Sequence, residues 1–218
     1  MHIVIAGGHG KIALILERLL AQRGDSVAGI IRKPAQAADL EAVGAEPLVV
    51  DLERSGVEEV AEHLRGADAV VFAAGAGPGS GAARKETVDR DSAILLADAA
   101  QAAGVDRYLM ISSMAADPEA TADDPVFEAY LRAKGAADES VRARTDLYST
   151  IVRPGLLTDD PGTGGVTIAD STGRGSVPRE DVAAVLVAVL DEPRTGGKTF
   201  EIISGETPIE EAIAATVR

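Results

Sequence analysis

Three groups of residues in this 218-residue chain have types and spacings that could do chemistry. In Tyr130-Leu131-Arg132-Ala133-Lys134 a phenol and an ammonium stand four positions apart, so a helix would point both from one face. A free tyrosine titrates near pH ~10 and is a poor proton donor or acceptor at neutral pH. A lysine cation beside it stabilises the phenolate and draws the pKa toward the working range. Ile111-Ser112-Ser113-Met114 precedes this pair, and a serine hydroxyl there can hold a substrate oxygen. The second group is the turn Gly7-Gly8-His9-Gly10, with Ala13 three positions on. Such a turn aims backbone N–H groups and the positive end of a helix dipole at one point, which suits a pyrophosphate. Its spacing, Gly7-x-x-Gly10-x-x-Ala13, differs from the G-x-G-x-x-G dinucleotide fingerprint, and a turn that merely packs a helix on a strand would use the same residues. The third group follows later strands. Arg32 and Lys33 stand where NAD-binding proteins often place an acid, which favours the 2'-phosphate of NADP because a guanidinium grips phosphate with two parallel hydrogen bonds. Asp51 could accept from an adenine amino group or cap the next helix.

These residues need a scaffold of alternating strands and helices. Apolar runs at residues 3–6, 26–31, 47–50, 69–74, 107–112, 148–152 and 199–203 read as strands. Helical patterns are predicted at 12–20, 35–42, 57–64, 88–103, 126–144, 182–190 and 209–217. The strands are continuous apolar runs without alternation, as expected where helices cover both faces. Strand and helix alternate throughout, which predicts an α/β, doubly wound parallel sheet with right-handed crossovers. Ligands of such sheets bind at the carboxyl ends of the strands, where all three groups lie. The loop 75–84, glycine-rich over 75–81, and the segment 158–176, read as irregular apart from Val166-Thr167-Ile168, are left to face a substrate.

Composition narrows the function further. One domain over 1–218 is expected. No cysteine is present, which excludes disulfides and thiolate chemistry, and the three histidines match no ligand spacing, so no metal is expected. A net charge of -14 argues against nucleic-acid or anionic-membrane partners. No apolar run is long enough to cross a membrane and no secretory leader is recognised, so a cytoplasmic monomer or homodimer with a small-molecule substrate is the expectation. Glu17-Arg18, Glu58-Glu59 and Arg142-Ala143-Arg144 read as solvated faces, and Ala93, Leu96, Ala97 and Ala100 as core or interface. Asp117, Asp123 and Asp124 read as a turn-rich loop, not a cation site.

Almost the whole chain resembles the atypical short-chain dehydrogenases/reductases, the small NAD(P)-binding proteins grouped with NAD-dependent epimerases/dehydratases. The motifs are AGGHGKIA, IRKP, VVDLE, VVFAAGAGPGS, LMISSMAAD, YLRAKGAAD and TIVRPGLLTD. The resemblance implies a three-layered Rossmann fold with a very small C-terminal substrate portion. By position, Gly7, Gly8, His9, Gly10, Lys11 and Ile12 match the diphosphate loop, and Arg32 the NADP phosphate contact. Asp51 and Leu52 match the adenine pocket, and Ala73, Ala74 and Gly75 the segment under the riboses. Ser113, Tyr130 and Lys134 match the catalytic trio, with Ser112 as the alternate serine, and Arg153, Pro154 and Gly155 match the motif framing the nicotinamide. The implied cofactor is NADP, with NAD as the alternative, and the implied activity is hydride transfer on a small carbonyl or hydroxyl substrate. A non-catalytic NADP-binding redox sensor and an epimerase or dehydratase are the rival readings.

Overall fold

A computed structural model describes residues 1–77 and 79–218; Pro78, within the predicted 75–81 loop, lies outside the described residues. The first half alternates as read: β1 (His2–Ala6), α1 (Lys11–Gln22), β2 (Ser26–Ile31), α2 (Ala37–Ala42), β3 (Glu46–Val49), α3 (Val57–Leu64) and β4 (Ala69–Phe72). A helical turn, α4 (Ala82–Arg84), runs through a π-helical stretch (Lys85–Asp91) into α5 (Ser92–Ala103). Then come β5 (Arg107–Ile111), α6 (Pro125–Arg142), β6 (Tyr148–Pro154), β7 (Leu156–Thr158), β8 (Gly165–Ala169), β9 (Ser176–Pro178), α7 (Arg179–Asp191), β10 (Thr199–Ser204), β11 (Thr207–Pro208) and α8 (Ile209–Ala215).

The main sheet runs β11-β8-β10-β6-β5-β4-β1-β2-β3. The chain order reverses at β1, with β2 and β3 on one side and β4 to β6 on the other, so the glycine turn after β1 sits at the switch point. Pairing from β3 across to β10 is parallel. The expectation of a wholly parallel sheet is corrected at one edge, where β8 runs antiparallel to β10 and β11. Residues read as irregular are thus partly a strand, concealed by the glycines and short length around Val166 to Ile168.

Alternate side chains feed two cores. Ile3 and Ile5 pack with Leu16, Leu20 and Leu186 on one face. Val4 and Ala6 pack with Leu64, Leu96 and Val141 on the other, as the period of two in a strand requires. Ala93, Leu96, Ala97 and Ala100 are core residues. Asp124 caps α6, its Oδ1 accepting from Val126 N at 2.8 Å, with Pro125 opening the first turn.

Glu17 is a second correction. It is fully buried on α1, and neither carboxylate oxygen has a hydrogen-bond partner among the described residues. A Cβ on Gly8 or Gly29 would come within 2.8 and 2.5 Å of its Oε1, so two glycines make the space it fills. Burial raises its pKa from the ordinary 4.5 to about 8. The folded chain therefore keeps a proton that the unfolded chain releases, and stability falls as pH climbs from the unfolded value to the folded one. Glu17→Gln stays uncharged over that window. Its melting temperature relative to wild type should rise between about pH 5 and pH 8, with a ceiling of ~1.4 kcal/mol per pH unit. Parallel melting profiles for the two proteins would contradict a buried, unpaired carboxyl.

Candidate functional site

The site starts at the glycine turn. Gly7 has φ +82°, and a Cβ there would lie 2.6 Å from Ala74 Cα, so the backbones of the β1 and β4 loops meet with no space for a side chain. Gly7 N and Gly8 N both donate to Ile30 O, at 3.1 and 3.0 Å, and Gly10 N donates to Gly7 O at 2.8 Å. Those three donors hold the turn. Gly10 ends the loop as the N-cap of α1 without a side-chain cap, so the first N–H groups of the helix, including those of Lys11 and Ile12, have no intrahelical partner. Gly10, Lys11 and Ile12 line a cleft, so a phosphate placed there would meet free donors and the helix dipole. Gly8 is packed against Gly29 and lines neither of the two clefts described below among the described residues.

On one side of the turn lies a cleft of about 290 Å³ that includes Gly7, His9, Arg32, Asp51, Leu52 and Ala73 to Gly75. His9 Nε2 is 2.7 Å from Asp39 Oδ2. Arg32 lies at the end of β2 and donates to Glu53 Oε2 at 3.0 Å. Asp51 Oδ1 accepts from Glu53 N at 3.1 Å, while α3 is entered through Gly56, so Asp51 closes its own turn and does not cap the helix.

On the other side is a cleft of about 710 Å³ lined by Ser112, Tyr130 and Lys134 together with Gly77, Lys85 and Phe127. The two clefts share Gly10 and Ala73 to Gly75, and so form one trough. Lys134 is buried; its Nζ donates to Ile111 O at 2.8 Å, stands 4.0 Å from Asp89 Oδ1 and lies over the Phe72 ring. Burial lowers its pKa, with Asp89 and Asp138 opposing. Burial also pushes the Tyr130 phenol up to about 12, with the Ser113 hydroxyl pulling the other way. Desolvation is the largest influence on this phenol, and Asp89 and Asp138 act in the same direction. Ser113 Oγ donates to Met114 O at 3.1 Å beside the phenol, while Ser112 is buried against Asp138.

Some expected contacts fall elsewhere. The Lys11 ammonium turns from the turn to Asp159 Oδ2 at 2.5 Å, and Arg179 reaches the other oxygen at 2.6 Å. Arg153 donates from Nε to buried Asp138 at 2.8 Å, Pro154 O accepts from Met114 N, and Gly155 N donates to Ile202 O. Arg153, Pro154 and Gly155 therefore brace the floor and line neither cleft among the described residues. Of the segment 158–176, β8 is committed to the sheet edge, and no residue lines either cleft among the described residues. Leu157, Arg179, Val126 and Phe127 form the wall in its place.

The sequence reading passed over Lys85, Asp89 and Gly135. Lys85 and Asp89 are four apart, a spacing that could have shown a shared face, and the π-helical winding turns both inward. Lys85 Nζ donates to Gly77 O at 3.0 Å and lies 5.3 Å from the Tyr130 ring centroid. Asp89 Oδ2 accepts from Ala76 N at 3.2 Å, which ties the loop after β4 to the π-helical stretch. Gly135 lets the loop after β5 rest on α6, since a Cβ there would lie 2.3 Å from Asp117 C. That contact brings Ser112 and Ser113 up to Tyr130. Among the described residues no group of His, Asp and Glu could hold a metal, and no helix is long and apolar enough to cross a membrane.

Sheet order, phosphate-ready turn and trough together define a Rossmann-type dinucleotide-binding domain. Residues 7–193 match the NAD(P)H-binding family model, and the chain belongs to that family. It is 38% identical over 214 residues to a Bacillus subtilis protein described as an uncharacterized sugar epimerase, covering 98% of this chain and 99% of that one. A solved structure from Bacillus halodurans, described as a candidate NAD-dependent epimerase/dehydratase, superposes with a TM-score of 0.90 at 35% identity over 99% of both chains. The oxidoreductase ylbE from Lactococcus lactis gives a TM-score of 0.87 at 28% identity, covering 99% of this chain and 96% of that one.

Burial disfavours ionisation of Tyr130. In the protein without dinucleotide, NMR of tyrosine labelled at Cζ should show Tyr130 un-ionised until the pH approaches about 12. A Tyr130 signal that titrated below pH ~9 would mean that Lys134 already governs the phenol.

Proposed function

We propose that the chain is an NADP-preferring oxidoreductase that reduces a small carbonyl compound or oxidises the matching alcohol. The observation that carries this reading is the single trough, which takes in the N-terminus of α1 at one end and Tyr130, Lys134 and Ser112 at the other, with Ser113 beside the phenol. The turn meets the test for a dinucleotide: Gly7 clears the backbone approach and the first amides of α1 supply anion donors. The pyrophosphate would rest on those amides, the adenosine beside Asp51 and Leu52, and the 2'-phosphate near Arg32. The nicotinamide, when bound in reduced form, supplies the hydride to the substrate carbon.

The protein's own part is binding and proton movement. Tyr130, protonated through neutral pH, donates its O–H proton to the carbonyl oxygen as negative charge builds there. Ser113, beside the phenol, orients that oxygen, and Lys134 compensates the charge left on Tyr130. Phe127, stacked on Tyr130 with centroids 6.1 Å apart, walls the phenol on the solvent side. Excluding water there strengthens each of these interactions. The names of the Bacillus relatives favour a second reading, epimerisation or dehydration through transient oxidation at the same three residues. That chemistry regenerates its dinucleotide, whereas a reductase consumes NADPH in proportion to product.

In a panel of carbonyl substrates, NADPH consumption should identify turnover. Tyr130→Phe should then lower kcat by about 10²- to 10⁴-fold while leaving NADPH affinity within about threefold. A Tyr130→Phe enzyme within twofold of wild type would remove the phenol from the reaction.

A further inference from the structure

The cleft on the Arg32 side holds a cluster of charged residues around Glu53. Glu53, an exposed residue in the turn after β3, is gripped from three directions. Arg84, on the opposite wall, donates through Nη2 to Oε2 at 2.7 Å and through Nε to Oε1 at 3.4 Å. Arg32 donates to the same Oε2 at 3.0 Å, and Thr87 Oγ1 donates to Oε1 at 2.8 Å. Two guanidiniums and a hydroxyl converging on one oxyanion are the donor set that a phosphate requires. Both arginines and Glu53 line the cleft that would take the adenosine. Arg84 and Thr87 come from the helical segment after the glycine-rich loop, so this cluster also closes that segment over the cleft.

We propose that Arg84, together with Arg32, forms the subsite for the 2'-phosphate of NADP, and that the Glu53 carboxylate occupies this subsite as an internal stand-in until the phosphate displaces it. The inference rests on the NADP reading above and assigns to it a second cation and a competitor. Its consequence is graded selectivity. Glu53 in place leaves a carboxylate to accept from the 2'-hydroxyl of NAD, whereas the phosphate dianion must eject Glu53 to reach both arginines. Exposed ion pairs hold weakly, so displacement by a doubly charged group is affordable. The hydrogen bond from Arg84 also holds the Glu53 carboxyl below its ordinary range.

Calorimetric titration of wild type, Glu53→Gln and Arg84→Gln with NADP and with NAD tests the assignment, with melting temperatures recorded to show that each variant is folded. Glu53→Gln should raise the NADP-to-NAD affinity ratio by about three- to tenfold, and Arg84→Gln should lower it by about tenfold. An unchanged ratio in either folded variant overturns the proposal. The wild-type ratio reports separately on the parent reading. A wild type that prefers NAD, with Glu53→Gln shifted toward NADP, would refute the native NADP preference and support the subsite. A wild type that prefers NADP, with both variants unshifted, would do the reverse.

Discussion

The structure depends on a close approach of backbones around the end of β1. Gly7 meets the Ala74 backbone on one side, and Gly8 meets Gly29 on the other, each at distances that leave no space for a Cβ. These contacts let α1 start directly above the sheet at its switch point, with its first amides facing the trough. The trough floor at Ala73 to Gly75, the Arg32 side of the cleft and the Tyr130 side all take their positions from that junction. The same closeness creates the buried slot that Glu17 fills without a partner, a cost of several kcal/mol at most for a neutralised carboxyl.

A second constraint is electrostatic. Beneath the larger cleft, Lys134 faces Asp89, and Asp138 is paired with Arg153. Charges buried this deeply survive only when compensated, and this set is nearly balanced. Desolvation raises the Tyr130 phenol and lowers the Lys134 ammonium. A cation bound beside them would shift that balance toward the phenolate.

Much of this organisation was legible in the sequence where a strong local rule applied. Strands buried on both faces read as unbroken apolar runs, and α3 was read at the bounds it adopts, Val57–Leu64. Gly7, Tyr130, Lys134 and Arg32 lie at strand ends or helix faces, where position implies direction. Less legible were features fixed by tertiary contact. β8 is a strand because β10 and β11 offer it an edge, not because its sequence insists. Glu17 has a polar type and a surface-like neighbour in Arg18, yet two distant glycines make its slot. Lys85 and Asp89 enter the site through a π-helical winding that no simple periodicity announces. Arg153 carried a motif-based expectation, but the buried carboxylate of Asp138 claims it. The assignment of Tyr130, Ser113 and Lys134 to chemistry still rests on their convergence.

The most direct measurement is a crystal structure of the protein with NADPH bound. The account expects the pyrophosphate on the amides of Lys11 and Ile12, and the nicotinamide C4 facing the space between Ser113 and Tyr130. A pyrophosphate bound away from the start of α1, or a nicotinamide turned out of the larger cleft, would contradict it.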